Sequence, residues 1–177
     1  MFFIKKKEGS LRLVQDYRKL DEITIKNSYP HPLVSDVLTR LRDAEWFTTL
    51  DLHWGFNNVC LKEGDKWKAA FSTNQGLFEL LVMFFGLCNS PATFQTMMND
   101  ILHPFIDHNE AVCYMDNILI YSSSLTDHWR ITWEILQTLH SYKLFLQPEK
   151  CKFKHREVDY LGLVISKDHG AMDPVKV

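Results

Sequence analysis

Cysteine, glycine and proline are scarce in this chain, and no apolar stretch is long enough to cross a bilayer. The 177 residues include only 4 cysteines, 7 glycines and 6 prolines. The cysteines lie far apart and form no C-x-x-C pair, which argues against a zinc knuckle and a disulfide framework and favours a reducing compartment. The first residues, Met-Phe-Phe-Ile, run directly into lysines, so no signal peptide is recognisable. These absences predict an intracellular protein with no membrane partner.

A strong charge of one sign is also missing. The net charge is −2 and the pI is about 6.4, so no overall field attracts this chain to nucleic acid. The first twenty residues are the exception, because they hold six basic and two acidic residues, a local net charge of +4. By charge alone, these residues are more typical of a solvated strand edge, where lysines prevent edge pairing, than of a phosphate-binding patch.

What the chain does contain is an ordinary globular composition, 46% hydrophobic and 24% charged, with alternating strand and helix signals. Two extended runs about Glu8-Gly9-Ser10 predict a hairpin, and Ser90-Pro91 predicts the start of a helix that runs to about residue 105. Mixed strands and helices with antiparallel hairpins predict an α+β fold. The other predicted strands cover residues 46–52, 59–62, 67–73, 77–83, 111–115, 118–122 and 157–166, and the other predicted helices cover residues 35–43 and 126–142.

The segment Tyr114-Met115-Asp116-Asn117 lies at a tight turn between two apolar runs. Asp and Asn are common at turns because both tolerate left-handed backbone, so local composition favours turn formation over chemistry. Asp51 changes the balance, because it ends another apolar strand, although capping of a helix is the structural alternative for it. Two aspartates at the ends of neighbouring strands are what a two-metal phosphoryl-transfer site requires, since Mg²⁺ prefers anionic oxygen ligands.

Eight blocks of the sequence, in order, resemble the reverse transcriptase domain of gypsy-class LTR retrotransposons and, more distantly, that of retroviruses. Three of them are Phe-Thr-Thr-Leu-Asp-Leu at residues 47–52, Phe-Gly-Leu-Cys-Asn-Ser-Pro-Ala-Thr-Phe-Gln at 85–95 and Tyr-Met-Asp-Asn-Ile-Leu-Ile-Tyr at 114–121. Nearly the whole chain takes part in the resemblance. The remaining blocks are residues 2–12, 16–20, 67–71, 148–153 and 160–166.

The resemblance implies a right-hand polymerase architecture of fingers and palm, mainly antiparallel sheet with packed helices and without a thumb. The fingers are expected at about residues 1–25 and 59–89, and the palm at about 26–58 and 90–177. The implied function is RNA-directed DNA synthesis by nucleotidyl transfer on a primed RNA or DNA template, with deoxynucleoside triphosphates and two Mg²⁺ ions. The rest of a polyprotein, including a thumb and RNase H, is an expected partner, in the cytoplasm, a retroelement particle or the nucleus.

The resemblance also implies which residues bind metal and phosphate. Asp51 and Asp116 match metal-binding aspartates, and Asn117 stands where the pattern of the family has the third catalytic carboxylate. Lys6 and Arg12 match the residues that hold the phosphates of the incoming nucleotide. Fixed cations at these two positions stabilise the charge of the leaving pyrophosphate.

Aromatic and glycine residues are implied to shape the nucleotide and primer sites. Phe56 matches the ring that stacks below the deoxyribose and excludes a 2′-hydroxyl, whereas composition alone favours core packing for it. Phe85 and Gly86 match the turn beside the nucleotide. Leu161 and Gly162 match the primer-grip turn, where glycine lets the backbone approach the primer strand closely.

Several positions depart from the pattern of the family, and Asn117 is the most consequential. An amide keeps one oxygen ligand but loses the charge that helps to balance two dications. The alternative to an active polymerase is therefore a catalytically dead, nucleic-acid-binding remnant of a retrotransposon polyprotein, and a domain retained only for protein contacts is the third hypothesis. The other departures, which favour a degenerating copy of the element, are Asp21, Trp54, Ser72, Phe84 and Glu110.

Overall fold

The computed structural model describes residues 2–5, 9, 11–30, 34–167 and 169–172. The chain divides into two compact units. Unit 1 comprises Met1–Tyr29 and Trp54–Phe94, and unit 2 comprises Pro30–His53 and Gln95–Val177. The fingers and palm, with the boundaries expected above, stay a prediction from the resemblance.

Unit 1 is built from short hairpins and single helical turns. Strands β1 (Phe2–Lys5) and β2 (Leu11–Val14) pair antiparallel, which confirms the first predicted hairpin. A short helix, α1 (Arg18–Ile23), follows directly. Strands β4 (Phe71–Thr73) and β5 (Gly76–Phe78) form a second hairpin later in the chain, joined by a tight turn.

Unit 2 is organised around a four-stranded antiparallel sheet. Its strands are β3 (Trp46–Asp51), β6 (Ala111–Tyr114), β7 (Asn117–Ser122) and β8 (Lys152–His155). The order β6–β7–β3–β8 makes β3 an inner strand, and β3 pairs with β7 along its whole length. Successive side chains of β3 point to opposite faces of the sheet, so Phe47 and Asp51 share one face and Thr48 lies on the other.

A second sheet in unit 2 has three antiparallel strands in the order β11–β10–β9. The strands are β9 (Glu157–Tyr160), β10 (Leu163–Ser166) and β11 (His169–Met172). Apolar side chains from both sheets and from the helix before β3 form one buried cluster around Phe47. That cluster fixes the second sheet against the first because it removes apolar surface of both from water.

Three longer helices complete the fold: α2 (Val34–Arg40), α3 (Ser90–Asp107) and α4 (Leu125–Ser141). They confirm the three predicted helices to within a few residues. Ser124 caps the start of helix α4, because its hydroxyl accepts a hydrogen bond from the Asp127 N–H, and the helix packs on strands β3 and β7. No helix in the described part of the chain is both long and apolar enough to span a membrane.

A histidine is buried between α4 and the sheet. His128 is 1% exposed, and its Nε2 lies 2.7 Å from the hydroxyl oxygen of Thr48. The same hydroxyl oxygen accepts a hydrogen bond from the Lys154 N–H at 3.2 Å. Burial lowers the pKa of His128 to about 4, because an imidazolium has no water there to solvate it. The side chain is therefore neutral at pH 7.

The structure corrects four predicted elements. Residues 157–166 form two strands rather than one, because Leu161 and Gly162 turn the chain back on itself. Residues 59–62 form no regular strand and pair with residues 81–83 only through isolated backbone bonds, such as Leu61 N–H to Leu81 C=O at 3.0 Å. Of the predicted strand 77–83, only the start is strand, as part of β5 (Gly76–Phe78). The predicted strand 67–73 begins with a 3-10 turn, Lys66–Ala69. Helix α1 and strands β8 and β11 were not predicted, since all three are too short to show a hydrophobic period.

Candidate active site

Asp51 and Asp116 lie at the ends of neighbouring strands in unit 2. Asp51 is the last residue of β3 and stands opposite Asn117, the first residue of β7. Asp116 immediately precedes Asn117 in the turn that joins β6 to β7. Its main-chain oxygen accepts a hydrogen bond from the Leu52 N–H at 2.9 Å, which ties this turn to the residue after Asp51. The sheet therefore brings together the residues that the sequence singled out as candidate metal ligands.

The carboxylate of Asp51 is largely buried and has a cationic neighbour. Its side chain is 15% exposed, and the Lys150 Nζ lies 3.5 Å from Oδ1. Burial raises the pKa of Asp51; the nearby charge of Asp116 acts in the same direction, while Lys150 opposes both. Because burial and the charge of Asp116 disfavour the ionised form of Asp51, a cation bound close to it would stabilise that form.

Asn117 contacts Asp116 directly. Its amide Nδ2 donates a hydrogen bond to the Asp116 Oδ1 at 3.1 Å. Among the described residues, no group of three or more His, Cys, Asp or Glu side chains is placed to hold a metal ion. Two carboxylates and an amide oxygen are hard ligands of the kind Mg²⁺ prefers, with one negative charge fewer than three carboxylates supply.

The turn Leu161–Gly162 is joined to the same hairpin by a buried tyrosine. Leu161 has φ 51° and Gly162 has φ 81°, the pattern of a type I′ turn between β9 and β10. Tyr160, just before the turn, directs its hydroxyl to the main-chain oxygens of Asn117 at 3.2 Å and Val112 at 3.5 Å. The predicted primer-grip residues are thus anchored to the strands that carry Asp116.

The aromatic residues predicted at the nucleotide site lie together in unit 1. Phe56 belongs to a 3-10 turn, Gly55–Asn58, and its ring centroid is 4.9 Å from that of Phe85 and 5.5 Å from that of Phe94. Phe94 is fully buried, whereas Phe56 and Phe85 are only partly buried. Phe56 therefore both packs against the core and keeps part of its ring on the surface.

Gly86 is a position where only glycine fits. Its φ is 116°, and a Cβ added there would lie 2.7 Å from the main-chain oxygen of Gln15. Both the backbone conformation and the close approach of another chain segment exclude a side chain. The turn 85–86 is consequently packed on the segment that follows β2.

The two predicted phosphate-binding cations are placed only in part. Lys6 lies outside the described residues. Arg12 is in strand β2, opposite Ile4, and its side chain lies outside the described part of the structure. Their contact with phosphate stays a prediction.

The structure shows how three of the departures from the family pattern are accommodated, two by a polar partner and one by exposure to solvent. Glu110 lies just before β6 and forms an ion pair with Arg130 at 2.8 Å. Asp21 accepts a hydrogen bond from the Cys88 N–H at 2.9 Å. Trp54 adopts a left-handed conformation with φ 53° and is 71% exposed, so its large ring meets solvent. The fold accommodates these three positions, and Asn117 is the departure that changes the charge beside Asp116.

Two residues at this site were not assigned a role from the sequence. Lys150 lies within a block that resembles the family, but nothing in its local pattern shows that the chain returns to Asp51. Gln95 is fully buried, and its side chain bonds to the main-chain oxygen of Cys113 and to the N–H of Met115. A glutamine among apolar helix residues was the available signal for Gln95, because a buried amide needs partners.

Comparison with known sequences identifies relatives over most of the chain. The sequence model of the family described as reverse transcriptase (RNA-dependent DNA polymerase) matches residues 4–165. The retrovirus-related Pol polyprotein from transposon 297 of Drosophila melanogaster is 42% identical over 166 residues, which are 94% of this chain and 16% of that polyprotein. The transposon Tf2-7 polyprotein of Schizosaccharomyces pombe is 38% identical over 167 residues, 94% of this chain and 12% of that polyprotein. The resemblance predicted from the sequence is confirmed, and the chain spans less than one fifth of these relatives.

Solved structures show the same fold. The foamy viral protease-reverse transcriptase in complex with double-stranded DNA superposes with a TM-score of 0.89 at 22% identity, over 98% of this chain and 30% of that chain. The foamy viral enzyme in complex with an RNA/DNA hybrid gives a TM-score of 0.86 at 21% identity, over 98% of this chain and 23% of that chain. At this identity the likeness shows the fold alone, and it confirms the predicted α+β polymerase architecture.

Proposed function

Because the chain belongs to the reverse transcriptase (RNA-dependent DNA polymerase) family, we propose that it carries the nucleotidyl-transfer centre of a retroelement polymerase. The proposed reaction is the attack of a primer 3′-hydroxyl on the α-phosphate of a deoxynucleoside triphosphate, directed by an RNA or DNA template, with release of pyrophosphate. The meeting of Asp51 and Asp116 at the ends of two paired strands is the observation that carries this proposal.

In this reaction Asp51 and Asp116 would hold Mg²⁺, and the amide oxygen of Asn117 would be a weaker third ligand. When bound there, Mg²⁺ would act as a Lewis acid that lowers the pKa of the primer 3′-hydroxyl and offsets negative charge on the phosphates. Lys150, 3.5 Å from Asp51, balances part of the carboxylate charge before a cation binds. The rigid sheet keeps the two aspartates in place, which a flexible loop would not do.

The remaining residues bind the nucleotide and the primer. Lys6 and Arg12 contact the triphosphate, where fixed cations stabilise the leaving group. Phe56, held by Phe85 at 4.9 Å, limits the space at the 2′ position of the sugar. The turn Leu161–Gly162 contacts the primer backbone. The foamy viral structures that share the fold are complexes with double-stranded DNA and with an RNA/DNA hybrid, which supports a primer–template as the partner.

A second candidate function is nucleic-acid binding without turnover, and Asn117 favours it. Two Mg²⁺ ions beside a triphosphate need strong negative charge from the protein, and an amide lowers that charge by one. Binding of duplex depends on cations and on the shape of the cleft rather than on Asn117, so it is retained when catalysis is lost. The two candidates therefore differ in a single measurable property, the Mg²⁺-dependent extension of a primer.

The test compares primer extension by the wild-type protein and by the Asn117→Asp variant. Restoring a carboxylate beside Asp116 strengthens metal binding, so we expect the extension rate to rise at least ten-fold, which requires only about 1.4 kcal/mol of transition-state stabilisation. Asn109→Asp is the matched control, because it adds the same charge at an exposed position just before β6. Asp116→Asn should abolish extension in either background.

The outcomes separate the two candidates. If neither wild type nor Asn117→Asp extends a primer while both bind duplex in a salt-dependent manner, the nucleic-acid-binding function is correct. Equal extension by both proteins would keep the polymerase and refute the argument that Asn117 weakens it. An equal gain from Asn109→Asp would show that net charge, and not the metal site, is responsible.

A further inference from the structure

The turn that carries Asp116 has an unfavourable backbone conformation. Met115 has φ 54°, and a two-residue hairpin turn with positive φ at its first residue is normally made with glycine. A side chain at such a position costs free energy, and the turn keeps this shape only if the surroundings hold it. The pairing of the two flanking strands, with Tyr114 opposite Asn117, keeps part of the turn in this conformation.

The side chain of Gln95 supplies the other part. Its Oε1 accepts a hydrogen bond from the Met115 N–H at 2.8 Å, and its Nε2 donates to the main-chain oxygen of Cys113 at 3.0 Å. The same Nε2 donates to the Asn99 Oδ1 at 2.9 Å. Because two acceptor oxygens face Nε2, the amide is oriented with its own oxygen towards Met115. Gln95 is 0% exposed, so water cannot replace these bonds.

These bonds act on the backbone next to Asp116 and not only on the core. Cys113 is in the incoming strand, and Met115 directly precedes Asp116. The main-chain oxygen of Asp116 in turn accepts a hydrogen bond from the Leu52 N–H at 2.9 Å, one residue beyond Asp51. A change in the turn at Met115 therefore moves one aspartate relative to the other. The spacing of metal ligands tolerates little error, so such a movement weakens metal binding.

We infer that Gln95 is a positioning residue of the metal site, which clamps the strained turn at Met115 so that Asp116 stays in register with Asp51. The inference rests on the proposed function for its catalytic meaning. The clamp itself consists of hydrogen bonds from Gln95 to the backbone, so amide exchange at Met115 can detect it without any catalysis.

The test removes the clamp with Gln95→Met, which keeps the size of the side chain and loses its hydrogen bonds. We expect amide hydrogen exchange at Met115, followed by NMR, to accelerate at least ten-fold while exchange at Leu119 changes little. The affinity for Mn²⁺, read from paramagnetic broadening of the Asp116 amide, should fall about ten-fold. In the Asn117→Asp background, kcat for primer extension should fall about ten-fold, with the KM for the nucleotide changed less than about three-fold.

A double variant distinguishes clamping from simple loss of stability. Glycine tolerates φ 54°, so Met115→Gly removes the need for the clamp. Adding Gln95→Met to Met115→Gly should change the Mn²⁺ affinity less than about three-fold, against about ten-fold in the wild-type background. Leu102→Ala is the control, because it empties a fully buried position on the same helix without touching the turn. It should lower stability and leave the Mn²⁺ affinity of the folded protein unchanged.

Several results would overturn the inference. They are unchanged Mn²⁺ affinity in Gln95→Met, an equal loss in Leu102→Ala, and a full loss that persists in the Met115→Gly background. If Gln95→Met does not fold, Gln95→Leu takes its place, since it is also apolar and loses the same three side-chain hydrogen bonds. If no variant extends a primer, the proposed function fails on its own, and the exchange and Mn²⁺ measurements still decide on the clamp.

Discussion

The two faces of strand β3 hold polar side chains in different ways. On one face Asp51 lies near the end of the strand, 15% exposed, with the Lys150 ammonium 3.5 Å away. On the other face Thr48 is buried and contacts the imidazole of His128, which is 1% exposed. Burial shifts the pKa of both ionisable groups towards the neutral form, upwards for Asp51 and downwards for His128.

The difference shows how the fold separates stability from chemistry. His128 is neutral at pH 7 and packs under the sheet, so its burial adds to the core without leaving a charge there. Asp51 keeps a carboxylate in a place where burial disfavours it, and a neighbouring cation offsets part of that cost. A protein that keeps such a group is commonly less stable than it would be with an uncharged residue there, because the group is retained for a reaction and not for folding.

The largest expected effect is acid destabilisation through the His128 face. The unfolded chain binds a proton near the ordinary histidine pKa of 6.5, whereas folded His128 binds one only near pH 4. The free energy of unfolding therefore decreases as the pH falls below 6.5, and His128 causes no further decrease below about pH 4. At about 1.4 kcal/mol per unit, the free energy of unfolding should decrease by about 3 kcal/mol at most. Urea unfolding at several pH values across this window measures it.

His128→Gln is the control for this prediction, because it removes the titrating group and keeps a polar side chain beside Thr48. Its free energy of unfolding should change much less between pH 6.5 and 4.5. Equal slopes for the wild type and this variant would show that other groups dominate the acid response. The comparison between the two faces of β3 would then lose its energetic basis.

A smaller effect is expected from Tyr160→Phe on the Asp51 face. The hydroxyl of Tyr160 lies within hydrogen-bond distance of the main-chain oxygens of Asn117 and Val112 and can donate its one proton to either, so its removal takes one buried hydrogen bond from this face. The free energy of unfolding should fall by about 1 to 2 kcal/mol. Tyr17→Phe in unit 1 is a matched control, since it also removes one buried hydroxyl bond, to the Ala69 oxygen at 2.8 Å. Only Tyr160→Phe should also weaken Mg²⁺-dependent activity; an equal loss in both variants would count against a link to the site.

The smallest expected effect is a gain in stability from Asp51→Asn without divalent cations. The pKa of Asp51 is raised in the folded state, so at pH 7 the ionised form is a net cost to folding. An amide removes that cost, and we expect thermal unfolding to report about 0.5 to 1 kcal/mol of added stability. Adding Mg²⁺ should reverse the order, because the wild type gains binding free energy that the variant lacks. Asp100→Asn, at an exposed position on α3, should respond to neither change.

Much of the fold follows from local patterns that can be read along the chain. Ser90 and Pro91 mark the start of α3 because a cap and a proline at the first turn favour one helix end. A turn near Asp116 is predictable because two apolar runs flank the turn-forming pair Asp116-Asn117; the structure places the turn one residue earlier, at Met115–Asp116. Asp51 could be proposed as its partner because strand ends in one sheet tend to meet. Sequence patterning is informative wherever a local rule and the tertiary structure agree.

The remaining features depend on contacts between distant parts of the chain. Residues 157–166 look like one strand, since Leu161 is apolar and only Gly162 marks the turn. Residues 59–62 have strand composition, but pairing with 81–83 is limited to isolated bonds. Lys150 reaches Asp51 across about a hundred residues of sequence, and no local signal specifies such a contact. Tertiary packing decided each of these cases.

The clamp of Gln95 determines where this domain tolerates sequence change. Gln95 contacts the turn only through main-chain atoms, the Met115 N–H and the Cys113 oxygen. A bond to the main chain does not depend on the side chain that the residue carries, so position 115 is free to vary among residues that accept a positive φ. Position 95 has no such latitude, because another side chain lacks either the length or the paired donor and acceptor. In a copy of the domain that accumulates mutations without selection, a single change at 95 would therefore disable the turn while Asp51 and Asp116 themselves remained intact.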